Sequence, residues 1–289
     1  MLFSAHVMNS HFAGATRYVA LGDSLTEGLG DWNFQFDRLH AGWADRLAHL
    51  LTASASVQHE RVEYANLAVR GSKTAQIMGW QLEAALAINP TFVTVMPGAN
   101  DIFGNSRKLA QVEELLDSGL TRLREAGIAV LLVNTVSPGH IALARMLRTR
   151  TKRMAQLINR VGARHSVPVL DLQSLEQFAH GGYWCDDLAH FSNHGHTLIA
   201  NLAAVALGLN ARYTQLEPTE IAVPKPALRD RVRWLKVHVV PFLVRRVRGR
   251  TSGDGLSPKL PEPTSFYAPQ AYAAAIRLEM ATTKARQNR

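Results

Sequence analysis

Cysteine is almost absent from this 289-residue chain, since Cys185 is its single example. An intrachain disulfide therefore cannot form, and a metal site built from several thiolates is excluded. Long apolar runs are also missing, because none approaches the roughly 18 residues that a membrane-spanning helix needs. The first residues show no basic stretch followed by an apolar core, so we expect no signal peptide and a cytoplasmic location.

Excess positive charge is absent from most of the chain and concentrated in one segment. The hydrophobic share of 47% and charged share of 19% are typical of a folded globular protein, and the formal net charge is +9. Nine basic side chains and one acid, Asp230, lie between Lys225 and Arg250, which gives that segment a net charge of +8. The basicity is therefore not a property of the main domain, and we expect no nucleic acid as its partner.

Short apolar runs alternate with helical patterns up to about residue 208. The predicted strands are 17–21, 62–66, 92–96, 128–133 and 167–170. The predicted helices are 42–51, 74–86, 109–126, 142–164 and 194–207, the last with Ser192 or Asn193 as its cap. Apolar strands separated by helices indicate parallel pairing with helices on both faces. We therefore predict an α/β domain over residues 15–208, a flavodoxin-like three-layer α/β/α fold with a five-stranded parallel sheet.

The pattern changes after Gly208, and residues 209–289 are predicted to form a basic C-terminal extension. Residues 209–228 are loop-like, residues 251–263 are rich in Ser, Gly and Pro, and residues 268–289 are predicted as a short helix or a disordered tail.

Residues 229–250 of this extension mix apolar side chains with cations, which leaves three interpretations open. The segment contacts an anionic membrane surface, or docks onto the main domain by burying Trp234 and Phe242, or binds a polyanion. The high apolar share favours the first two over nucleic acid. No pattern in the sequence predicts an oligomeric state.

Ligands of parallel α/β sheets bind beyond the carboxyl ends of the strands, which gives a test for candidate site residues. Four short segments with polar or glycine residues follow predicted strands: Gly22-Asp23-Ser24-Leu25, Asn66 to Gly71, Pro97 to Asp101, and Trp184 to His190. Because these segments are far apart in sequence and lie at one edge of the predicted sheet, we expect them to meet there.

The four segments resemble the four blocks of the SGNH (GDSL) hydrolase family, in the family's order, over about residues 15–208. The matching residues are Gly-Asp-Ser-Leu at 22–25, Gly71, Gly-x-Asn-Asp at 98–101 and Asp-x-x-His at 187–190. The resemblance implies a serine esterase with Ser24 as nucleophile, His190 as base and Asp187 as its partner. It also implies an oxyanion hole made by the backbone N–H groups of Ser24 and Gly71 and the side-chain amide of Asn100.

These residue types suit ester hydrolysis. A serine hydroxyl is a poor nucleophile until a neighbouring base takes its proton, and a histidine, with an unperturbed pKa near 6.5, can do so at neutral pH. Asp187 comes three residues before His190, so one turn can bring its carboxylate to the other ring nitrogen. Glycine permits close backbone approach, and an Asn amide contributes about 10²–10³ to turnover in comparable sites.

Each residue also has a simpler interpretation. Ser24 alone would be read as a turn or helix cap, Gly71 as a turn glycine, and Asp187 with His190 as the start of a surface helix. Asp23 and Asp101 are predicted to be hydrogen-bonding loop residues rather than catalysts.

Two alternatives concern the whole site. A metal site from His190, His194 and His196 lacks a separate carboxylate or cysteine set to complete it, so we expect no metal and no cofactor. A non-catalytic module on the same fold is the rival function, and the presence of all four blocks argues against it.

The substrate is the least defined property of the chain. Walls of the pocket are predicted from residues 28–40, with Trp32, Phe34 and Phe36, and from the neighbourhood of Asn105. Members of the family act on carboxylic esters, acyl thioesters and acetylated carbohydrates. We expect a small-molecule carboxylic ester here, with acyl thioesters and acetylated carbohydrates as alternatives.

Overall fold

A computed structural model describes residues 16–31, 42–58, 62–103, 106–137, 142–215, 233, 236–237, 240–248, 250–265 and 276–278. Five strands form at the predicted places: β1 Thr16–Leu21, β2 Val62–Asn66, β3 Phe92–Val95, β4 Ala129–Val133 and β5 Val169–Leu170. Helices follow these strands: α1 Ser24–Glu27, α2 Trp43–Gln58, α3 Thr74–Gln76, α4 Leu82–Ile88, α5 Ser106–Glu125, α6 Ala142–Arg164 and α7 Asn193–Ala206. A π-helical turn, Ile77–Gln81, joins α3 to α4.

The five strands pair in parallel in the order β5-β4-β3-β1-β2, which confirms the predicted α/β class. Alternate side chains of β1 enter opposite core layers, as the period of two in a strand requires. Tyr18 belongs to the layer that contains Trp43 of α2, whereas Val19 belongs to the layer that contains Leu116 of α5 and Ile158 of α6. Helices therefore cover both faces, and the carboxyl edge of the sheet stays available for a site.

The sixth strand of this sheet is β7 Leu260–Ser265, which pairs antiparallel with β2 and makes the sheet mixed. This strand begins within the Ser-, Gly- and Pro-rich residues 251–263, a composition that does not predict a strand. Pro261 and Pro263 lower the strand propensity of the segment, but an edge strand tolerates proline because the outward-facing backbone needs no partner. The extension thus contributes directly to the sheet, at its β2 edge.

A second, two-stranded antiparallel sheet joins β6 Ala211–Tyr213 to β8 Ile276–Leu278. Residues 209–228 were predicted as loop and residues 268–289 as helix or disordered tail, so both predictions are corrected at these strands. Strands of three residues are too short to leave a periodic pattern in the sequence. The boundary between domain and extension at residue 208 stays a prediction.

The described residues of the basic segment include the helix α8 Val240–Val247, which holds Pro241 within its first turn, where proline is tolerated. The predicted burial of Trp234 and Phe242 concerns side chains outside the described part of the chain. Among the helices that the structure describes, none is long and apolar enough to span a bilayer.

Candidate active site

Ser24 lies at a sharp turn from strand to helix at the carboxyl edge of the sheet. Gly22 directly follows β1 and is closely packed, because a Cβ at this position would lie 2.3 Å from the Thr26 hydroxyl oxygen. Asp23 caps α1, because its Oδ1 accepts a hydrogen bond of 3.0 Å from the Leu25 N–H. Ser24 is therefore the first residue of α1, where backbone N–H groups have no partner within the helix.

His190 links the serine to a carboxylate. Its Nε2 lies 2.9 Å from Ser24 Oγ, and its Nδ1 lies 2.5 Å from Asp187 Oδ2. The side chains of His190 and Asp187 are 20% and 23% exposed, so solvent and a ligand can reach them. The structure thus brings together the three residues that the sequence placed after β1 and β5, at hydrogen-bonding distances suited to proton transfer.

The Asp187 carboxylate is held by more than the histidine. Its Oδ1 accepts hydrogen bonds from the backbone N–H groups of Ala189 (2.9 Å) and His190 (3.0 Å) and from the Cys185 thiol (2.8 Å). Burial raises the pKa of Asp187, but the hydrogen bonds and charge of His190 outweigh it and, with Cys185, hold that pKa well below its usual range. Asp187 is therefore an anion that accepts and never donates.

Burial and the neighbouring Asp187 charge raise the pKa of the Cys185 thiol well above its usual range. The thiol consequently stays protonated and donates to the carboxylate. Sequence reasoning left Cys185 as a small buried residue, and its spacing of two from Asp187 was the signal that could have identified the contact.

The turn that carries Asp187 and His190 closes on itself. The Cys185 N–H donates to the His190 carbonyl (3.0 Å), the Leu188 N–H donates to the Cys185 carbonyl (2.9 Å), and Leu188 adopts φ +59°. A Cβ on Gly30 would lie 2.9 Å from His190 Cβ, so the loop after α1 packs directly against the histidine. The turn and this loop together fix the position of the imidazole.

Asn100 connects the predicted oxyanion residues. Its Nδ2 donates to Asp23 Oδ2 (2.9 Å), one residue before Ser24, and to the Ser72 carbonyl (3.0 Å), one residue after Gly71. Gly71 adopts φ +79°, a conformation that favours glycine. The four blocks therefore meet at one place, with the Asn100 amide between the turn that carries Ser24 and the loop that carries Gly71.

Asp23 and Asp101 form the loop hydrogen bonds expected of them. Asp101 Oδ2 accepts from the backbone N–H (2.9 Å) and hydroxyl (3.0 Å) of Thr74 at the start of α3. Burial raises the pKa of Asp23 to about 6, although the Leu25 N–H, His190 and Asn100 each lower it. The carboxyl group that orients Asn100 therefore sits in an environment that favours its neutral form.

Two further contacts, which the sequence did not predict, support the turn that carries Ser24. Gln81 Nε2 donates to the Gly22 carbonyl and its Oε1 accepts from the Gly22 N–H, both at 2.9 Å. The Glu27 carboxylate accepts from the Arg70 N–H (2.7 Å) and pairs with its guanidinium. A buried Gln between the apolar Ile77 and Leu82 was the available signal for the first contact.

A metal site built with His196 does not fit the geometry. His196 is fully buried, with Nδ1 accepting from the Trp43 N–H (3.1 Å) and Nε2 donating to the Leu29 carbonyl (3.1 Å). Both ring nitrogens are thus engaged in joining α7 to α2 and to the loop after α1. The predicted pocket walls at Trp32, Phe34, Phe36 and Asn105 lie outside the described residues.

The fold is similar to that of several solved hydrolases. An acetylxylan esterase, Axe2 from Geobacillus stearothermophilus, matches with a TM-score of 0.57 and 17% identity, over 68% of this chain and 96% of that one. LAE5, an α/β hydrolase enzyme from the metagenome of Lake Arreo, Spain, matches with a TM-score of 0.55 and 22% identity over 68% and 97%. TesA matches with a TM-score of 0.51 and 20% identity over 66% and 97%.

At these identities the likeness establishes the fold, and membership of a family rests on the sequence. No curated protein matches the chain. Residues 20–198, which include all four blocks, match the model of the GDSL-like lipase/acylhydrolase family. The chain belongs to the GDSL-like lipase/acylhydrolase family and is an ester hydrolase.

Proposed function

We propose that the protein cleaves carboxylic esters through an acyl-enzyme formed on Ser24. The observation that carries this proposal is the position of the His190 ring, with Nε2 2.9 Å from Ser24 Oγ and Nδ1 2.5 Å from Asp187 Oδ2. A histidine in this position can take the serine proton while the carboxylate fixes its tautomer and stabilises the imidazolium. Nucleophile, base and orienting acid are thus in hydrogen-bonding contact.

The reaction has two halves in this proposal. Ser24 Oγ attacks the ester carbonyl carbon while its proton moves to His190 Nε2, and that proton then passes to the departing alcohol as the C–O bond breaks. Water attacks the acyl-enzyme in the second half, with His190 again accepting a proton and returning it to Ser24. Asp187 keeps its negative charge throughout.

The negative charge on the substrate oxygen would be stabilised by the backbone N–H groups of Ser24 and Gly71 and by the Asn100 amide. Support comes from the placement of Asn100 between the turn that carries Ser24 and the loop that carries Gly71. Because Asn100 Nδ2 already bonds to Asp23 and Ser72, one of these bonds has to be shared with the substrate oxygen in the transition state. Donors held in place beforehand lose no energy to reorganisation when the charge develops.

The test is turnover of p-nitrophenyl esters from acetate to palmitate by the wild type and by Ser24→Ala. We expect Ser24→Ala to lose at least 10⁴-fold in kcat, the scale seen when a triad member is removed. Ser118→Ala, at an exposed serine of α5, is the matched control and is expected to keep wild-type rates. A fluorophosphonate should form a bond from its phosphorus to Ser24 Oγ with loss of HF, which adds the mass of the phosphonyl group, less one hydrogen, to the peptide that contains Ser24. Wild-type turnover by Ser24→Ala would refute the proposal.

The same ester series addresses the substrate. A maximum at acetate would indicate deacetylation of small or carbohydrate esters, whereas a maximum at long chains would indicate acyl esters. An acyl-coenzyme A thioester in parallel would separate thioesterase from esterase activity.

We further propose that residues 229–250 contact an anionic membrane surface. The observation that favours this is the exposure of apolar side chains in a basic segment: Val237, Val240 and Val244 are 54%, 50% and 43% exposed. Arg245 and Arg248 of the same segment are exposed as well. Apolar side chains and cations on one surface suit anionic lipid, to which each cation near the membrane contributes about 1 kcal/mol.

Flotation with phosphatidylcholine vesicles, with and without phosphatidylglycerol, tests the membrane proposal. The full chain should float only with the anionic vesicles and less at high salt, and Val240→Asp/Val244→Asp should remain at the bottom. Val205→Asp is the control, because Val205 is 55% exposed on α7 of the main domain. Equal flotation of all three proteins, or a duplex DNA shift without flotation, would contradict membrane contact.

A further inference from the structure

The extension returns to the hydrolase domain directly after the basic segment, through a tight turn at residues 251–254, called here the C-terminal turn. The Asp254 carboxylate accepts from the Thr251 N–H (3.1 Å) and the Thr251 hydroxyl (2.5 Å). The Gly253 N–H donates to the Thr251 hydroxyl (3.3 Å), and the Leu256 N–H donates to the Gly253 carbonyl (3.0 Å). The turn is therefore held in one shape by its own side chains.

This turn touches the loop that contains Gly71, backbone against backbone. A Cβ on Gly253 would lie 2.0 Å from the Arg70 carbonyl oxygen and 2.9 Å from Val69 Cγ1. From the other side, a Cβ on Gly71 would lie 3.0 Å from Thr251 Cβ and 3.2 Å from the backbone nitrogen of Ser252. A side chain at Gly253 would block this contact, and one at Gly71 would be tightly packed against the turn.

The opposite side of the Gly71 loop is fixed as well. Arg70 is bound to Glu27 of α1 through its N–H and its guanidinium, and the Ser72 carbonyl accepts from Asn100. The peptide units on both sides of Gly71 are thus held between the nucleophile helix and Asn100 on one face and the C-terminal turn on the other. Displacement of the turn would leave only one face of the loop supported.

The C-terminal turn is itself anchored to the domain. β7 follows it and pairs with β2, the strand that leads into the Gly71 loop. Between turn and strand, Lys259 Nζ donates to Asp45 Oδ2 at 2.7 Å, and the Asp45 side chain is fully buried. A buried carboxylate that lost its cation would be left uncompensated, so this pair holds the returning chain strongly in place.

We propose that the C-terminal turn positions the Gly71 N–H in the oxyanion hole, with Gly253 as the positioning residue. The inference rests on the proposed function, because it needs Gly71 to be an oxyanion donor. It makes part of the extension a component of the active site, although no residue of the turn touches the reacting atoms.

The decisive variant is Gly253→Ala in the full chain. The added methyl group cannot fit against the Arg70 carbonyl, so either the Gly71 loop moves or the turn withdraws from it, and both change the position of the Gly71 N–H. A shift of about 1 Å in a site costs about 10²-fold in rate. We expect kcat for p-nitrophenyl acetate to fall at least tenfold with KM changed less than twofold. Phenylboronic acid, whose tetrahedral adduct on serine places a charged oxygen in the hole, should bind more weakly by a similar factor.

Gly255→Ala is the matched control, since it is the same substitution two positions on. Gly255 has φ +78° but no atom within 4 Å of its Cβ position, so alanine there strains the backbone without pushing the Gly71 loop. Both variants are expected to lower the melting temperature, and only Gly253→Ala to lower kcat. A Gly253→Ala protein that melts earlier but keeps wild-type kcat and boronate affinity would overturn the inference.

Thr251→Val provides a second route if Gly253→Ala does not fold, because it removes the hydroxyl that shapes the turn and adds no bulk. We expect a two- to fivefold loss in kcat at unchanged KM, and unchanged kcat would overturn the inference in the same way.

Ser24→Ala distinguishes failure of the positioning role of Gly253 from failure of the proposed esterase function. If it is inactive while Gly253→Ala turns over normally, only the positioning role fails; if it is fully active, the proposed function fails.

Discussion

The two sides of Ser24 are built in different ways. On one side, which we call the base side, Asp187 and His190 lie three residues apart in a turn that closes on itself through Cys185 and Leu188. On the other side, which we call the oxyanion side after the role proposed for it, Gly71 and Asn100 come from separate loops. Asn100 is bound to Asp23 and Ser72, and the Gly71 loop contacts the C-terminal turn. The base side is a local structure that packs onto the domain, whereas the oxyanion side exists only when distant segments assemble.

Because the two sides are built differently, substitutions on each side should affect different steps of catalysis. A change on the base side should remove the proton acceptor and leave the binding of a charged oxygen largely intact. A change on the oxyanion side should weaken stabilisation of that oxygen and leave the proton acceptor intact. Substitutions on the two sides can therefore be compared directly.

The largest effect is expected from His190→Ala, because the serine then has no base. We predict a fall in kcat of about 10⁴–10⁶-fold, and a fall of about 10⁴-fold for Asp187→Asn, which keeps the shape but loses the charge. Steady-state turnover of p-nitrophenyl acetate measures both effects, and wild-type kcat in His190→Ala would contradict the role of His190.

A smaller effect is expected from Asn100→Ala on the oxyanion side. Loss of one side-chain donor should reduce kcat about 10²–10³-fold with little change in KM. The pH dependence of the remaining activity should match that of the wild type, because the base is untouched. Steady-state kinetics across pH would measure both kcat and its pH dependence. A residual activity whose pH dependence differs from that of the wild type would show that the substitution also disturbs the base side.

Two buried groups, Asp23 beside Ser24 and His196 in α7, should make the free energy of unfolding respond to pH with opposite signs. Burial raises the pKa of Asp23 to about 6, so its contribution to stability is present at low pH and is lost as pH rises from about 4 to about 6, by about 3 kcal/mol. Burial, partly offset by Asp31, lowers the pKa of His196 to about 4, so stability is lost as pH falls from about 6.5 towards 4.

Urea unfolding between about pH 4 and pH 7 measures these contributions. Asp23→Asn should make the free energy of unfolding rise more steeply with pH over this interval, and His196→Gln should make it rise less steeply. Parallel curves for wild type and both variants would show that neither group is perturbed by the fold.

The smallest effect is expected from Cys185→Ala. Asp187 Oδ1 would keep two backbone donors and lose the thiol, so we predict about a fivefold fall in kcat, in line with one hydrogen bond of about 1 kcal/mol. Cys185→Ser restores a donor and should recover the wild-type rate; an unchanged rate in Cys185→Ala would remove the thiol from the base side.

Much of the fold followed from the sequence because buried parallel strands are continuous apolar runs. Ser24 and Asn100 were selected by their positions directly after such runs, and the Asp187–His190 turn by its place further along after the fifth; the structure brings them together. β7 could not be predicted in this way, because Pro261 and Pro263 lower the strand propensity of the segment and are compatible with a strand only at the edge of a sheet. The contact between Gly253 and Arg70 joins residues that no local pattern relates.

Pairing of β7 with β2 also sets an order of events during synthesis. β7 is translated about 190 residues after β2, which at about 5–20 residues per second is a delay of roughly 10–40 s. Throughout that interval the nascent chain carries an unpaired sheet edge, the kind of surface at which separate chains associate. Protection from such association therefore arrives only with Leu260–Ser265, and a ribosome that stops short of them releases a chain with that edge still open.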